Sequence, residues 1–170
     1  IVKDKGIEEL VDAYARLSSE VENVRLVIVG WEEPLTDPIS NHSQSILKNN
    51  TGIVCTGFMD DIRPSLGASD CLILASYREG FPNVVMQAAC VNIPSIVSNI
   101  NGCNEIIQDG SNGLVVEPKS ADALYNAMKR LESDRDLLSD LAARSRHSVV
   151  EKYDRQKFQK IILAEYQSLL

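Results

Sequence analysis

Apolar positions Ile7, Leu10, Val11, Tyr14 and Leu17 recur at helical spacing, and the continuous apolar run RLVIVG follows from Arg25 to Gly30. Steps of three and four residues put the first set on one helix face; an unbroken β-branched run has the character of a buried strand. The theme returns in GIVCTG (Gly52 to Gly57), CLILAS (Cys71 to Ser76), PSIVSN (Pro94 to Asn99) and GLVVEP (Gly113 to Pro118), with helix-compatible segments between. Five apolar strands without polar alternation predict a mainly parallel sheet covered on both faces, the doubly wound, Rossmann-like α/β class. Beyond Pro118 the strands stop. Leu124, Ala127, Met128 and Leu131, then Leu137, Leu138 and Leu141, predict two amphipathic helices, and Phe158, Ile161, Ile162, Tyr166 and Leu169 predict a last one closing the C-terminal side. The polar stretch from Trp31 to Gln44, with two prolines, is predicted to be loop and the most mobile part of the chain.

Composition narrows this picture. A chain of 170 residues with 44% hydrophobic content is expected to form one domain with a proper core. Its net charge of -7, with no dense Lys/Arg cluster, argues against nucleic acid or an anionic membrane surface as the main partner. A small anion in a local pocket stays open. Cys55, Cys71, Cys90 and Cys103 form no CxxC pair and lie mostly in apolar runs, which reads as reduced packing residues of a cytoplasmic protein. His42 and His147 stand alone in polar surroundings, so no metal site is expected, and no apolar run reaches the roughly 18 residues of a membrane span.

The chemistry concentrates in SYREGFPNVVMQAA, Ser76 to Ala89, where a strand passes into a helix. Gly80 and Pro82 suit a sharp turn into a helix beginning near Asn83, since glycine allows close backbone approach and proline is tolerated in a first helical turn. Unpaired amides and the helix dipole favour an anion at such a terminus; a phosphate fits, and so does a carboxylate. Glu79, just ahead of the turn, can accept hydrogen bonds from hydroxyls, and Gln87, one turn beyond Asn83, can bond a second polyol. A nucleoside diphosphate sugar has hydroxylated parts at both ends and phosphate between them.

EGFPNVVMQAA, followed by PSIVSNINGCNEIIQDGSNGLVVEP, resembles the C-terminal, donor-binding domain of the retaining group 1 (family 4) glycosyltransferases, which have the two-domain GT-B fold. KDKGIEEL, RLVIVG, GIVCTGFMDDI, ASDCLILAS and the closing helices have counterparts in order, so the likeness covers nearly the whole chain. NINGCNEII resembles bacterial members that build capsular and other surface polysaccharides. The family pattern is Glu, seven residues, Glu; here Glu79 takes the first place and Gln87 the second, exchanging a charge for an amide. The resemblance makes Glu79 the candidate catalytic residue, in contact with donor-sugar hydroxyls. It brings the amides at Gly80, Phe81 and Val84, in the turn through Pro82 and Asn83, to the sugar and diphosphate, and gives position 87 the ribose. Lys5 falls on the family's lysine for the donor phosphates. Asn101-Gly102 replaces a Gly-Gly pair: Gly102 keeps the close approach, Asn101 is a candidate helix cap, and Glu105 is either a capping-box acid or a ligand. Gly57-Phe58-Met59 resembles the segment whose backbone meets the nucleobase, and a plain strand-end turn is the other reading.

By the same resemblance residues 1–170 are the donor-binding domain of a longer enzyme, with a further strand ending in Gly-Arg, expected centrally between RLVIVG and CLILAS, and an acceptor-binding domain, both ahead of Ile1. The implied reaction is sugar transfer from a nucleoside diphosphate donor to a glycan or lipid-linked acceptor hydroxyl, with retention and no cofactor or metal. The isolated chain is expected to be inactive and the parent to be cytoplasmic, or peripheral at the membrane's inner face. A sugar-nucleotide epimerase of the same fold and a non-catalytic nucleotide-binding scaffold are the alternatives.

Overall fold

The computed structural model describes residues 1–33 and 35–169, so that Pro34, in the stretch read as loop, lies outside the description. A 3-10 turn over Lys3–Lys5 leads into α1 (Ile7–Glu20), β1 (Leu26–Val29), α2 (Asn41–Asn49), β2 (Ile53–Gly57), α3 (Arg63–Gly67) and β3 (Leu72–Leu74). The order continues with α4 (Asn83–Cys90), β4 (Ser95–Ser98), α5 (Cys103–Ile106), β5 (Gly113–Val116), α6 (Ala121–Ser133), α7 (Arg135–Tyr153) and α8 (Arg155–Ser168). Every apolar run read as a strand is one, and every ladder between them is parallel.

The strands form a pair, β1-β2, and a trio, β3-β4-β5. Strand β4 is the most enclosed, and alternate residues of the trio go to opposite helical layers. Ile96 and Leu114 join the apolar face of α1 and α6, whereas Val97 joins Val85 and Ala89 of α4, Cys103 and Ile106 of α5, and Val149 of α7. That double cover is why these strands read as unbroken apolar runs. The β1-β2 pair is covered on one face only: Leu26, Ile28 and Ile53 are buried with α1, while Val27, Val29 and Val54 are exposed. Here the expectation of cover on both faces fails, because the layer holding α4, α5 and α7 does not extend across the pair.

Two smaller readings also change. The segment from Asn41 to Gln44 is the first turn of α2, capped by the Ser40 hydroxyl accepting from the Ser43 amide at 3.2 Å, so the loop ends earlier than its polarity suggested. Cys55 and Cys90 are exposed, leaving Cys103 as the buried packing thiol among four free cysteines. Helices α6 and α7 close the core through Leu124, Met128, Leu131, Leu138 and Leu141; α8 buries none of its side chains and carries Phe158, Ile161, Leu163 and Tyr166 outward.

Between β1 and β3 the ladder is interrupted. The two strands face a cavity of about 840 Å³ lined by Leu26, Ile28, Leu72 and Leu74, with Leu10 and Met128 from the helices above. The Leu26 amide bonds the Gly52 carbonyl and the Leu72 amide bonds the Pro94 carbonyl, each at 3.0 Å. Successive backbone groups of a strand point to opposite sides. The amides of Val27, Val29 and Ile73 therefore face the gap. Hydrogen exchange should find these three much faster than Ile28 and Leu74, which point to paired neighbours; equal protection of both sets would mean that the gap is closed in solution.

Candidate functional site

The site begins where the first residues of the chain meet the end of β3. Gly6 has φ +66°, in the left-handed region, and a Cβ there would lie 2.1 Å from the Ala75 carbonyl oxygen. Glycine is required on both counts. Its absent side chain lets the Lys3–Lys5 turn lie against the strand end, where the Tyr77 amide donates to the Asp4 carbonyl at 2.9 Å and Arg78 pairs with the Asp4 carboxylate at 3.0 Å. The Asp4 amide is held in turn by the Asp37 carboxylate at 2.7 Å. Tyr77 anchors the loop to α1 by donating its hydroxyl to the Glu9 carboxylate, 2.7 Å from Oε1, and Lys119 Nζ lies 4.8 Å from the centre of its ring. Burial, reinforced by Glu9, pushes the Tyr77 phenol above its ordinary range, so it stays a neutral donor.

This seam brings together Lys5 and Glu79, 74 residues apart in sequence: Lys5 Nζ lies 2.7 Å from Glu79 Oε1. The Ser76 hydroxyl donates to the same oxygen at 2.7 Å. Ser76 is fully buried, the Glu79 side chain is 17% exposed and the Lys5 side chain 47% exposed. Helix α4 starts at Asn83, as its sequence predicts, with Pro82 in the N-cap position. The amides of Gly80, Phe81, Asn83 and Val84 have no acceptor among the described residues. Asn83 and Gln87 are both exposed, one turn apart on the same helix face. A packing role for Gln87 does not match that exposure.

The second loop of the site presses on the first. A Cβ on Gly102, whose φ is +79°, would lie 2.2 Å from the Gly80 carbonyl oxygen and 3.2 Å from Pro82 Cδ. The close approach expected at Gly102 is thus made to the Gly80 backbone, while a Cβ on Gly80 itself would face open space. Asn101 does not cap α5: it is exposed, Gly102 occupies the N-cap position, and the Glu105 carboxylate accepts the Gly102 amide at 3.2 Å. Glu105 thus performs the capping-box role. Tyr153, at the end of α7, supports both loops, with its ring edge-on to Phe81 at 5.3 Å and its hydroxyl donating to the Glu105 carbonyl at 3.0 Å. Burial pushes the Cys103 thiol beneath these loops up to about 11, with Glu79 adding to the rise and Lys5 opposing it, so this thiol is no nucleophile at neutral pH.

Gly57, Phe58 and Met59 lie at the end of β2, apart from the Glu79 loop. Gly57 has φ +72° and accepts the Gly30 amide at 2.8 Å, while exposed Phe58 stacks on exposed Trp31 with ring centres 5.1 Å apart. Met59 takes a hydrogen bond from Ser65 at 3.3 Å. The Glu33 amide donates to the Ile1 carbonyl at 3.4 Å, so residues 1–5 run from beside the end of β1 to the end of β3 and link the two parts. Sequence reasoning assigned nothing to Ser76, Tyr77, Tyr153 or Trp31. Ser76 and Tyr77 stood inside the informative stretch, but their partners come from other elements; Tyr153 carried no local signal at all.

Chemically, the loop offers unpaired amides and a half-exposed cation for an anion beside a carboxylate suited to hydroxyls, all at the carboxyl end of a parallel strand. Comparison with known proteins agrees with the class this defines. The family described as "Glycosyl transferases group 1" matches residues 1–148, and the chain belongs to that family. It is 28% identical over 169 residues to the capsular polysaccharide biosynthesis glycosyltransferase CapM of Staphylococcus aureus, covering 99% of this chain and 43% of CapM. It is 31% identical over 128 residues to the UDP-Gal:alpha-D-GlcNAc-diphosphoundecaprenol alpha-1,3-galactosyltransferase of Escherichia coli, covering 75% of this chain and 33% of that enzyme. The crystal structure of the C-terminal domain of a group 1 family protein, LpcC from Francisella tularensis, superposes with a TM-score of 0.81 at 26% identity, covering 91% of this chain and 83% of that one. The fold is that of a GT-B C-terminal domain, and the chain spans less than half the length of the curated relatives it matches. Among the described residues no helix is long and apolar enough to cross a membrane.

The seam gives a direct prediction. Gly6→Ala must hold a left-handed backbone and resolve a contact of 2.1 Å, so it should lose at least about 2 kcal/mol of unfolding free energy in denaturant titrations. A loss under about 0.5 kcal/mol would mean that the turn does not rest on the strand end.

Proposed function

We propose that this chain is the donor-binding domain of a longer enzyme that transfers a sugar from a nucleoside diphosphate donor to an acceptor hydroxyl with retention, in the synthesis of a capsular or other surface polysaccharide. The observation that carries this reading is the convergence of Lys5, Glu79 and the unpaired amides at the start of α4. Lys5 and the amides of Gly80, Phe81 and Val84 hold the diphosphate, Glu79 accepts hydroxyls of the sugar, and Gln87 bonds the ribose. Gly102 keeps the second loop close, and the backbone at Gly57, Phe58 and Met59 receives the base. Catalysis rests on positioning the donor and stabilising the leaving diphosphate by amides and the lysine. Similarity to CapM supports the polysaccharide role, and the UDP-galactose in the Escherichia coli relative's name supports a sugar nucleotide. The acceptor binds outside residues 1–170, on a preceding domain.

The test is a calorimetric and turnover screen of nucleotide sugars with the full-length protein. Glu79→Ala should reduce the preference for sugar nucleotide over bare nucleoside diphosphate by about 1.5–3 kcal/mol, the range for hydrogen bonds to a charged group. Equal changes for the two ligands would mean that Glu79 does not read the sugar. Gln87→Ala should weaken a ribonucleotide by about 1–3 kcal/mol and lose most of that effect with a 2',3'-dideoxy analogue. An equal loss for both would remove Gln87 from the ribose site.

A further inference from the structure

The two side chains assigned to different parts of the donor are bonded to each other. Lys5 Nζ and Ser76 Oγ share Glu79 Oε1, each at 2.7 Å, and Glu79 Oε2 makes no hydrogen bond among the described residues. The two partners are built differently. Ser76 is fully buried two residues past β3, so packing on all sides confines its hydroxyl. Lys5 stands on a short turn with about half of its side chain exposed, reaching Glu79 with a flexible four-carbon stem. An ion pair with one exposed partner is weak and easily exchanged. From this asymmetry, and resting on the donor-site reading above, we infer that Lys5 is the exchangeable partner of Glu79 and Ser76 the permanent one. A diphosphate draws Lys5 off the carboxylate, and Ser76 keeps Glu79 aimed while its freed oxygens take up sugar hydroxyls. Ser76 is thus a positioning residue, and binding of the anion uncovers the group that reads the sugar.

The sign of this effect is opposite to that of an ordinary binding residue. In the full-length protein, Glu79→Gln releases Lys5 in advance and should tighten inorganic pyrophosphate and a bare nucleoside diphosphate by about two- to five-fold, the strength of an exposed pair. Removing a negative charge would help any anion, so the cycle with Lys5→Met decides. The gain should fall below about 1.5-fold in the Lys5→Met background if it comes from released lysine. An equal gain in both backgrounds, or none in either, overturns the exchange. Ser76→Ala should leave pyrophosphate affinity within about two-fold, yet reduce the preference for sugar nucleotide over nucleoside diphosphate about five-fold, and Ser76→Thr should restore it. Loss of both ligands together by a folded Ser76→Ala protein would make Ser76 merely structural. Should Ser76→Ala unfold, the Lys5-Glu79 cycle still decides, since both side chains reach solvent. Wild-type protein that binds neither pyrophosphate nor any nucleotide overturns the donor-site reading as well, whereas binding without coupling overturns only the exchange.

Discussion

The contact between Gly6 and the end of β3 fixes where the first residues of the chain lie, and the site and the start of α1 both depend on it. The approach of Gly6 to the Ala75 carbonyl seats the turn at residues 3–5 and starts α1 at Ile7. From there α1 spreads its apolar face over both sheets, burying Leu26, Ile28 and Ile53 of the pair and Ile96 and Leu114 of the trio in one cluster. Burial under one helix places residues of both sheets in a single apolar cluster. A side chain at position 6 would disturb the turn, the helix and the site together.

The same contact governs the electrostatics. An acidic chain brings Lys5 to its most developed loop, where it is bonded to the loop's own carboxylate. The arrangement keeps both charges partly solvated and paired, avoiding the cost of an unpaired charge near a buried strand end. The Ser76 hydroxyl donates to the pair itself, the neighbouring Tyr77 phenol donates to Glu9, and the amides of α4's first turn follow in sequence. Tyr153 and Glu105 then fix the two loops from the side of α7, so the surface is shaped by elements distant in sequence.

Local sequence determined the elements and their order, because apolar periodicity and glycine-proline punctuation act over a few residues. RLVIVG, CLILAS and PSIVSN could hardly be anything but strands, and GFPN before VVMQAA marked the start of α4. Lys5, Glu79 and Gln87 were legible as a set only through resemblance to a family, since no short-range rule connects residue 5 with residue 79. Tertiary structure decided the rest. Whether a strand is covered on one face or two depends on which helical layer reaches it, and so Val27 and Val54 are exposed despite their apolar neighbours. Whether Gly80 or Gly102 needs to be glycine depends on which backbone lies opposite. The bonding of Lys5 to Glu79, with Ser76 on the same oxygen, depends on a fold that brings the first turn to the end of β3, a geometry that no pattern along the chain encodes.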